Sequence, residues 1–278
     1  MHCGQSLSGR WFGIHLSDES ANTMALTLVT VPCLKDNYAY ILRDTDTGAT
    51  AVIDVPDATP IIDALALRGW PLHQIFLTHH HWDHIDGVAD LVAATGASVI
   101  GAAADAHRLP PLNTALVEGD SIFVGSASGT VIDVPGHTVG HIAFYFPSAA
   151  LAFTADSLMA MGCGRLFEGT PAQMWDSLSK LAKLPPETLV CSGHEYTSSN
   201  MRFALALEPG NPDLILRHDR IAAARAQGLP TVPSRLADEI ATNPFLRAQT
   251  GQIKAALGTP NATHAEAFAD LRARKDSF

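Results

Sequence analysis

The segment THHHWDH at residues 78–84 holds the densest group of potential metal ligands in the sequence. It follows a short apolar stretch with the composition of a buried strand. Alternate side chains of an extended chain point the same way, so His79 and His81 can reach one ion. Asp83 and His84 come where the chain turns into a helix, and they can face a second ion close by. Imidazole and carboxylate groups bind Zn²⁺, Fe²⁺ and Mn²⁺, so the segment predicts half of a two-metal site in a hydrolase.

Three later strand ends offer one further candidate ligand each. His137 follows a strand and a Pro-Gly turn, Asp156 follows an apolar strand, and His194 follows a strand and a Ser-Gly turn. Taken singly, each is more often a cap or a loop residue. A run of surface histidines is the alternative interpretation of the first segment, but it is weak because the run is short, internal and follows a strand. Together they predict a complete metal site. His141 is expected to orient loops by hydrogen bonds, and His80 is expected to point away from the ions.

Composition and charge narrow the class of protein. The chain has 278 residues, 47% hydrophobic and 17% charged, with no apolar run long enough to cross a membrane. A net charge of −10 disfavours nucleic acid as a partner, and a monomer is expected. The four cysteines form no CxxC pair, which predicts a reduced, cytoplasmic protein without disulfides. Cys163 and Cys191 are interpreted as small buried apolar residues rather than nucleophiles.

Turn residues and hydrophobic periodicity divide the chain into three parts. Residues 1–24 lack the apolar core of a signal peptide and are predicted to be a disordered extension. Residues 25–196 alternate short strands with helices, which favours two packed sheets with helices outside. Residues 197–278 show helical periodicity without strand signals, so a helical domain is predicted there. The predicted strands are 26–31, 38–43, 50–54, 74–78, 98–101, 121–124, 129–134, 142–146, 151–154 and 188–192, and the helices before residue 197 are 59–68, 85–95 and 171–184.

The order of these motifs resembles the metallo-β-lactamase superfamily and, within it, the glyoxalase II or hydroxyacylglutathione hydrolase family. The matching segments are LKDNYAY at 34–40, THHHWDH at 78–84, FTADS at 153–157, GCGR at 162–165, EGT at 168–170, GHEYT at 193–197, NPFLR at 243–247 and RKDSF at 274–278. The resemblance spans residues 25–278. It implies an α/β fold, an αββα sandwich, followed by an all-α domain that binds glutathione.

The resemblance also implies a role for individual residues. One ion would be held by His79, His81 and His137, the other by Asp83, His84 and His194, with Asp156 bridging the two. Asp83 and Asp156 would be catalytic, together with a hydroxide shared by the ions. Glutathione would be bound by Arg165, Phe167, Tyr196, Arg272 and Lys275.

Four positions depart from the family pattern. Arg165 replaces a lysine and Phe167 replaces a tyrosine, which removes a hydroxyl that could bond the substrate. Asp86 and Ala155 stand where the family usually has glycine. These departures affect the predicted contacts with the substrate more than the predicted metal ligands.

The activity implied is hydrolysis of S-D-lactoylglutathione to D-lactate and glutathione, the second step of methylglyoxal detoxification. It would use two divalent ions, with zinc preferred and iron or manganese as alternatives. A single-iron glutathione-persulfide dioxygenase of the same fold is one alternative, although such enzymes lack the C-terminal helical extension. A lactonase or β-lactamase-type hydrolase is another. A non-enzymatic metal module is disfavoured, because a closed structural zinc site needs four ligands and this chain offers seven.

Overall fold

The computed structural model describes residues 12–15 and 26–278. Most of the predicted disordered extension, residues 1–24, lies outside the described residues. Within it, Phe12–His15 form strand β1, which pairs antiparallel with β2 (Leu26–Cys33), so this part is strand rather than disordered.

A seven-stranded sheet contains β1 to β7 in chain order. Its further strands are β3 (Asn37–Asp44), β4 (Thr50–Ile53), β5 (Gln74–Phe76), β6 (Ser98–Ala102) and β7 (Thr114–Leu116). Strands β1 to β4 pair antiparallel, and β4 to β7 pair parallel. Because parallel strands end at the same edge of a sheet, the residues that follow β4 and β5, Asp54 and Thr78–His79, come close together.

The second sheet has six strands in the order β15-β14-β11-β10-β9-β8. They are β8 (Ser121–Val124), β9 (Ala127–Asp133), β10 (Ile142–Phe146), β11 (Leu151–Ala155), β14 (Leu189–Ser192) and β15 (Ser234–Arg235), and β12 (Leu158–Met159) and β13 (Gly162–Cys163) form a separate small hairpin. Strands β11 and β14 are parallel neighbours. Their carboxyl ends therefore deliver Asp156 and His194 to one edge.

Helices cover the outer faces of both sheets. They are α1 (Ala58–Arg68), α2 (Trp82–Ile85), α3 (Val88–Thr95), α4 (Pro171–Leu181), α5 (Thr197–Leu207), α6 (Pro212–Ala226), α7 (Leu236–Thr242), α8 (Gly251–Leu257) and α9 (His264–Ser277). Helices α1 and α3 pack on the first sheet, and α4 with α5, α8 and α9 shares a core with the second. No helix of the described residues is long and apolar enough to cross a membrane. The predicted α/β sandwich with C-terminal helices is confirmed.

Aromatic side chains fill the space between the two sheets. Phe76 and Phe144 meet edge to face with ring centroids 5.2 Å apart, and Tyr40 meets Phe153 in the same way at 5.7 Å. Edge-to-face pairs of this kind add to the free energy gained by burying the rings. Because each pair joins opposite sheets, the pairs fix how the two metal-binding edges face each other.

The structure differs from the predicted elements in several places, and strands β7, β12 and β13 were not predicted. The predicted helix 85–95 is two helices, since the backbone at His84 and Gly87 bonds to Val55 instead of continuing one helical ladder. Strand β15 lies in the region predicted to be free of strands and pairs with β14. Two-residue strands such as β15 carry too little periodicity to be recognised in a sequence.

A buried carboxylate joins the two sheets at the end of β3. Asp44 accepts hydrogen bonds from the Ser126 amide (2.6 Å), the Ser126 hydroxyl (2.7 Å) and the Asp46 amide (2.8 Å). Ser126 lies in the turn between β8 and β9, so these bonds connect one sheet to the other. Burial alone would raise the pKa of the Asp44 carboxyl, but the bonds from Ser126 and Asp46 outweigh it and hold that pKa below its ordinary value.

We expect Asp44→Asn to lower the free energy of unfolding by about 2 kcal/mol at pH 7, because buried donors lose their charged acceptor. The folded pKa lies below the unfolded one, so the wild-type advantage is present above about pH 4 and shrinks as the pH falls further. Urea unfolding of both proteins between pH 3 and 7 measures this. Asp46→Asn, at an exposed position of the same turn, is the control. A stability difference that is independent of pH would contradict the role of the carboxylate.

Candidate metal centre

The histidine segment is held in place by the end of the neighbouring strand. Asp54, which follows β4, accepts hydrogen bonds from the Thr78 amide (2.9 Å) and the Thr78 hydroxyl (2.8 Å). His81 then lies directly before α2, so this helix carries Asp83 and His84 in its first turn. The ends of β4 and β5 and the short helix α2 thus bring four candidate ligands, His79, His81, Asp83 and His84, close together.

The structure brings His79, His81 and His137 into one group, with a ring nitrogen from each lying within 4.8 Å of the others. His81 Nδ1 and His137 Nε2 are 2.9 Å apart. His79 Nε2 is buried and has no hydrogen-bond partner among the described residues. An unpartnered buried nitrogen facing two other imidazoles fits a bound cation.

Asp83, His84 and His194 form a second group under the same 4.8 Å limit. His84 Nε2 lies 3.3 Å from His194 Nε2, and His194 Nε2 lies 3.5 Å from Asp83 Oδ2. Two imidazoles and a carboxylate are suitable ligands for zinc, iron or manganese.

Asp156 lies between the two groups. Its Oδ2 is 3.4 Å from His137 Nε2 and 3.3 Å from His194 Nε2, and its Oδ1 is 3.5 Å from His84 Nε2. Oδ1 is buried and has no hydrogen-bond partner among the described residues. A carboxylate that reaches both groups can bridge two cations, and the seven side chains together suggest a binuclear metal site.

Most of the candidate ligands are oriented by a bond on the side facing away from the groups. His84 Nδ1 lies 2.8 Å from Asp54 Oδ2, and His194 Nδ1 lies 3.0 Å from Asp36 Oδ1. His137 Nδ1 donates to the carbonyl oxygen of Arg165 at 2.8 Å. Such contacts fix the ring and the tautomer of a metal-binding histidine. Asp54 and Asp36 were not predicted from the sequence, although Asp54 follows a strand in the same way as the predicted ligands.

Two histidines near the groups were assigned no ligand role, and the structure gives each a different contact. The Nδ1 atom of His80 lies 2.9 Å from Asp105 Oδ2, so this side chain points away from the first group, as expected. The His141 ring stacks on His79 with centroids 4.6 Å apart, and its Nδ1 lies 3.1 Å from the Ile142 carbonyl. His141 therefore supports the first group by packing.

Burial and charge set the protonation of the imidazoles. Burial and repulsion by neighbouring imidazoles lower the pKa of His79 well below its usual value and that of His81 to about 4. Burial also lowers the pKa of His137, although Asp156 opposes it. At His194 burial acts the same way, but Asp156 outweighs it and raises the pKa to about 9. The first group thus presents neutral imidazoles, whose lone pairs are free to bind metal.

A cavity of about 610 Å³ opens on both ligand groups. It is lined by His81, Trp82, Asp83, His137, Asp156, Met159, Cys163, Gly164, Arg165, Phe167, His194, Tyr196, Ser199, Asn200, Arg272 and Lys275. All five predicted substrate residues are among them. Trp82, which lies between the predicted ligands His81 and Asp83, is 64% exposed and also lines the cavity. Ser199, Asn200 and Met159 were not identified from the sequence.

Aromatic rings lie next to the ligand groups in this cavity. Phe167 meets the edges of His81 and His137, with ring centroids 5.5 and 5.2 Å apart. Tyr196 stacks on His194 at 4.7 Å with an angle of 5° between the ring planes. The two rings form apolar walls on either side of the candidate metal centre.

Cations line another part of the cavity. Lys275 donates to the Ser199 hydroxyl at 3.2 Å, and Arg272 donates to the Cys163 carbonyl at 3.0 Å. The Arg165 side chain is 66% exposed. Burial raises the pKa of the Cys163 thiol to about 11, so this cysteine is a neutral side chain rather than a nucleophile.

Comparison with known families places this fold and site in a class. The model for the metallo-beta-lactamase superfamily matches residues 35–194. The crystal structure of the BLEG-1 B3 metallo-beta-lactamase has a TM-score of 0.61 and 22% identity, covering 78% of this chain and 98% of its own. TTHA1623 in a di-iron-bound form has a TM-score of 0.53 and 31% identity, covering 60% of this chain and 91% of its own. The chain has the fold of the metallo-β-lactamase superfamily and belongs to it.

Sequence relatives identify the family within this class. The model for the hydroxyacylglutathione hydrolase C-terminus matches residues 195–278. A hydroxyacylglutathione hydrolase of Jannaschia sp. (strain CCS1) is 66% identical over 90% of this chain and 98% of its own length. Another, from Cereibacter sphaeroides, is 66% identical over 92% of this chain and its own whole length. The chain belongs to the hydroxyacylglutathione hydrolase family, which confirms the resemblance seen in the sequence.

We expect Asp54→Asn to reduce metal affinity about ten- to hundred-fold, because His84 loses the acceptor that orients its ring. Elemental analysis of metal per chain, after dialysis against graded chelator concentrations, measures this without relying on activity. Asp63→Asn, at an exposed position of α1, is the control. Wild-type metal retention in the Asp54 variant would contradict the orienting role.

Proposed function

We propose that this chain hydrolyses S-D-lactoylglutathione and related 2-hydroxyacylglutathiones to the 2-hydroxy acid and glutathione, the second step of methylglyoxal detoxification. The observation that carries this proposal is one cavity that joins two groups of metal-ligating side chains to a wall of cations. Glutathione carries carboxylates, which cations bind by charge-assisted hydrogen bonds. The names of the relatives and helices α5 to α9 support a hydrolase over a persulfide dioxygenase.

In this proposal each ligand group holds one ion, zinc by preference and iron or manganese as alternatives. The first ion would be held by His79, His81 and His137, the second by Asp83, His84 and His194, with Asp156 shared. When bound, two such ions lower the pKa of a water molecule and polarise the thioester carbonyl.

The residues of the chain itself perform the remaining tasks. The carboxylates of Asp83 and Asp156 line the cavity, and that of the partly exposed Asp83 can accept a hydrogen bond from the attacking water. Phe167 and Tyr196 shield the acyl end of the substrate from bulk water. Arg165, Arg272 and Lys275 would hold the carboxylates of the glutathione part, so that the thioester lies against the ligand groups.

The remaining properties are inferred from charge and cysteine chemistry. The net charge of −10 favours a small anionic substrate held by local cations over a polynucleotide. Cys33, Cys163 and Cys191 are free and buried, which favours a reducing compartment such as the cytoplasm. We expect the chain to act as a monomer, because one chain supplies every residue of the proposed site.

We expect the purified, metal-loaded protein to cleave S-D-lactoylglutathione, with activity lost on chelation and restored by zinc, iron or manganese. Loss of thioester absorbance at 240 nm, with elemental analysis of the same sample, measures both. Asp156→Asn should lower kcat by at least a hundredfold, since the shared carboxylate is lost. Oxygen uptake with glutathione persulfide is the contrasting assay. Turnover there, with none of the thioester, would overturn the proposal in favour of a dioxygenase.

We expect Lys275→Met to raise KM for lactoylglutathione roughly tenfold or more, with kcat changed less than twofold. The ammonium would bind a carboxylate remote from the thioester, so its loss weakens binding in the ground state and the transition state alike. Steady-state kinetics on the wild type, this variant and an exposed control, Lys183→Met, measure the effect. An equal rise in KM for a carboxylate-free thioester, S-lactoyl-N-acetylcysteamine, would contradict the assignment.

A further inference from the structure

One carboxylate of the protein itself lies against the cations of the cavity. Asp276, near the end of α9, accepts a hydrogen bond from Arg272 Nη2 at 2.8 Å, and the same oxygen is 3.7 Å from Arg165 Nε. The Asp276 side chain is 43% exposed. It therefore bridges two of the cations that would meet the carboxylates of a glutathione thioester.

Several positively charged side chains lie near this carboxylate. Burial and the neighbouring charges of Arg272, Arg202 and Arg165 lower the pKa of the Lys275 ammonium, whereas Asp276 opposes them. Four cations near one another repel unless anions lie between them. Asp276 supplies one such anion, and a bound substrate carboxylate would supply another.

Arg272 is held in place by contacts that do not involve Asp276. Its Nη1 donates to the Cys163 carbonyl at 3.0 Å, and its guanidinium lies 5.0 Å from the centre of the Phe245 ring. The residue is buried. Removing the Asp276 charge should therefore leave this guanidinium where it is and change only the anion that neutralises it.

Lys275 is also positioned without Asp276. Its ammonium donates to the Ser199 hydroxyl and lies 5.7 Å from the centre of the Phe203 ring and 5.6 Å from that of Phe278. Arg272 and Lys275 are thus positioned mainly by backbone, hydroxyl and aromatic contacts. Asp276 contributes charge beside them more than shape.

We propose that Asp276 lowers the affinity for the substrate, because its carboxylate occupies cations that a substrate carboxylate would otherwise bind. A thioester whose carboxylate binds at Arg165 and Arg272 must share these cations with Asp276, so its affinity and that of the product glutathione are lower than the cations alone would give. A thioester without carboxylates gains nothing from the cations and is unaffected. This inference rests on the proposed function, because it needs a carboxylate-bearing substrate in this cavity.

The test is Asp276→Asn in the metal-loaded protein. We expect KM for lactoylglutathione to fall about two- to fivefold, which is the range for one partly exposed ion pair, while kcat stays within twofold. KM for S-lactoyl-N-acetylcysteamine should not change. Isothermal titration calorimetry with free glutathione should show affinity tightened by the same factor. Asp276→Ala should give the same shifts, because the charge and not the shape is at issue.

The chain offers a matched control on the same helix. Asp270 pairs with Arg274 at 2.9 Å, also four residues apart, and neither residue lines the cavity. Asp270→Asn should therefore leave both KM values unchanged, and thermal unfolding of each variant monitors its fold.

Two results would overturn the inference: a KM for lactoylglutathione that is unchanged or raised, or an equal fall in KM for the carboxylate-free thioester. If neither thioester is cleaved by any variant, the proposed function fails. The glutathione titration then still decides the inference, since affinity that is unchanged or weakened in Asp276→Asn contradicts it.

Discussion

The constraint on which this structure depends is the burial of several imidazoles side by side at the edge where two sheets meet. The ring centroid of His79 lies 4.2 Å from that of His84, 4.8 Å from that of His81 and 5.1 Å from that of His137. Protonating them all would place repelling charges in a site with little water, and burial with mutual repulsion lowers the pKa of three of these four. Such a cluster is stable as neutral rings around cations. The buried carboxylate of Asp156 adds negative charge beside these imidazoles, and the parallel strand ends bring the rings together.

The candidate ligands could be recognised in the sequence because each follows a predicted strand. Parallel strands end at one edge, so a polar residue placed just after each of several strands must meet the others. His137 and His194 were predicted as ligands because each follows a strand and a small-residue turn. This rule does not predict which residues contact the other side of each candidate ligand and orient it. Asp36 was not predicted, because it lies in a hairpin turn and its partner His194 is 158 positions later in the sequence.

The sequence predicted the layers of the fold, two packed sheets with helices outside. It predicted the short elements and the residues of the cavity wall less well. Strands of four to eight residues carry readable periodicity, whereas β15 has two residues and forms only because β14 lies beside it. The periodicity of α9 indicated a helix, but it could not show that Arg272 turns inward onto the Cys163 carbonyl. For the substrate residues the resemblance to a family did what pattern reasoning could not. It assigned Arg165 and Lys275, which are more than 100 positions apart, to one predicted substrate site.

Glycines near the site show why spacing alone misleads about local structure. In the sequence, Gly193 before His194 reads as a turn residue. In the structure a Cβ atom on Gly193 would lie 2.5 Å from Asp156 Oδ1 and 2.7 Å from His84 Cε1. A Cβ on Gly164 would lie 2.0 Å from the Asp156 carbonyl oxygen and 2.9 Å from His137 Nδ1. Both glycines are therefore required because atoms of the candidate ligands occupy the space that a Cβ would fill. Ala155 is the reverse case, since its φ of 39° lies in the region that favours glycine, where the family usually has one. This left-handed backbone costs about 1 kcal/mol, and it coincides with the register shift in β11 that directly precedes Asp156.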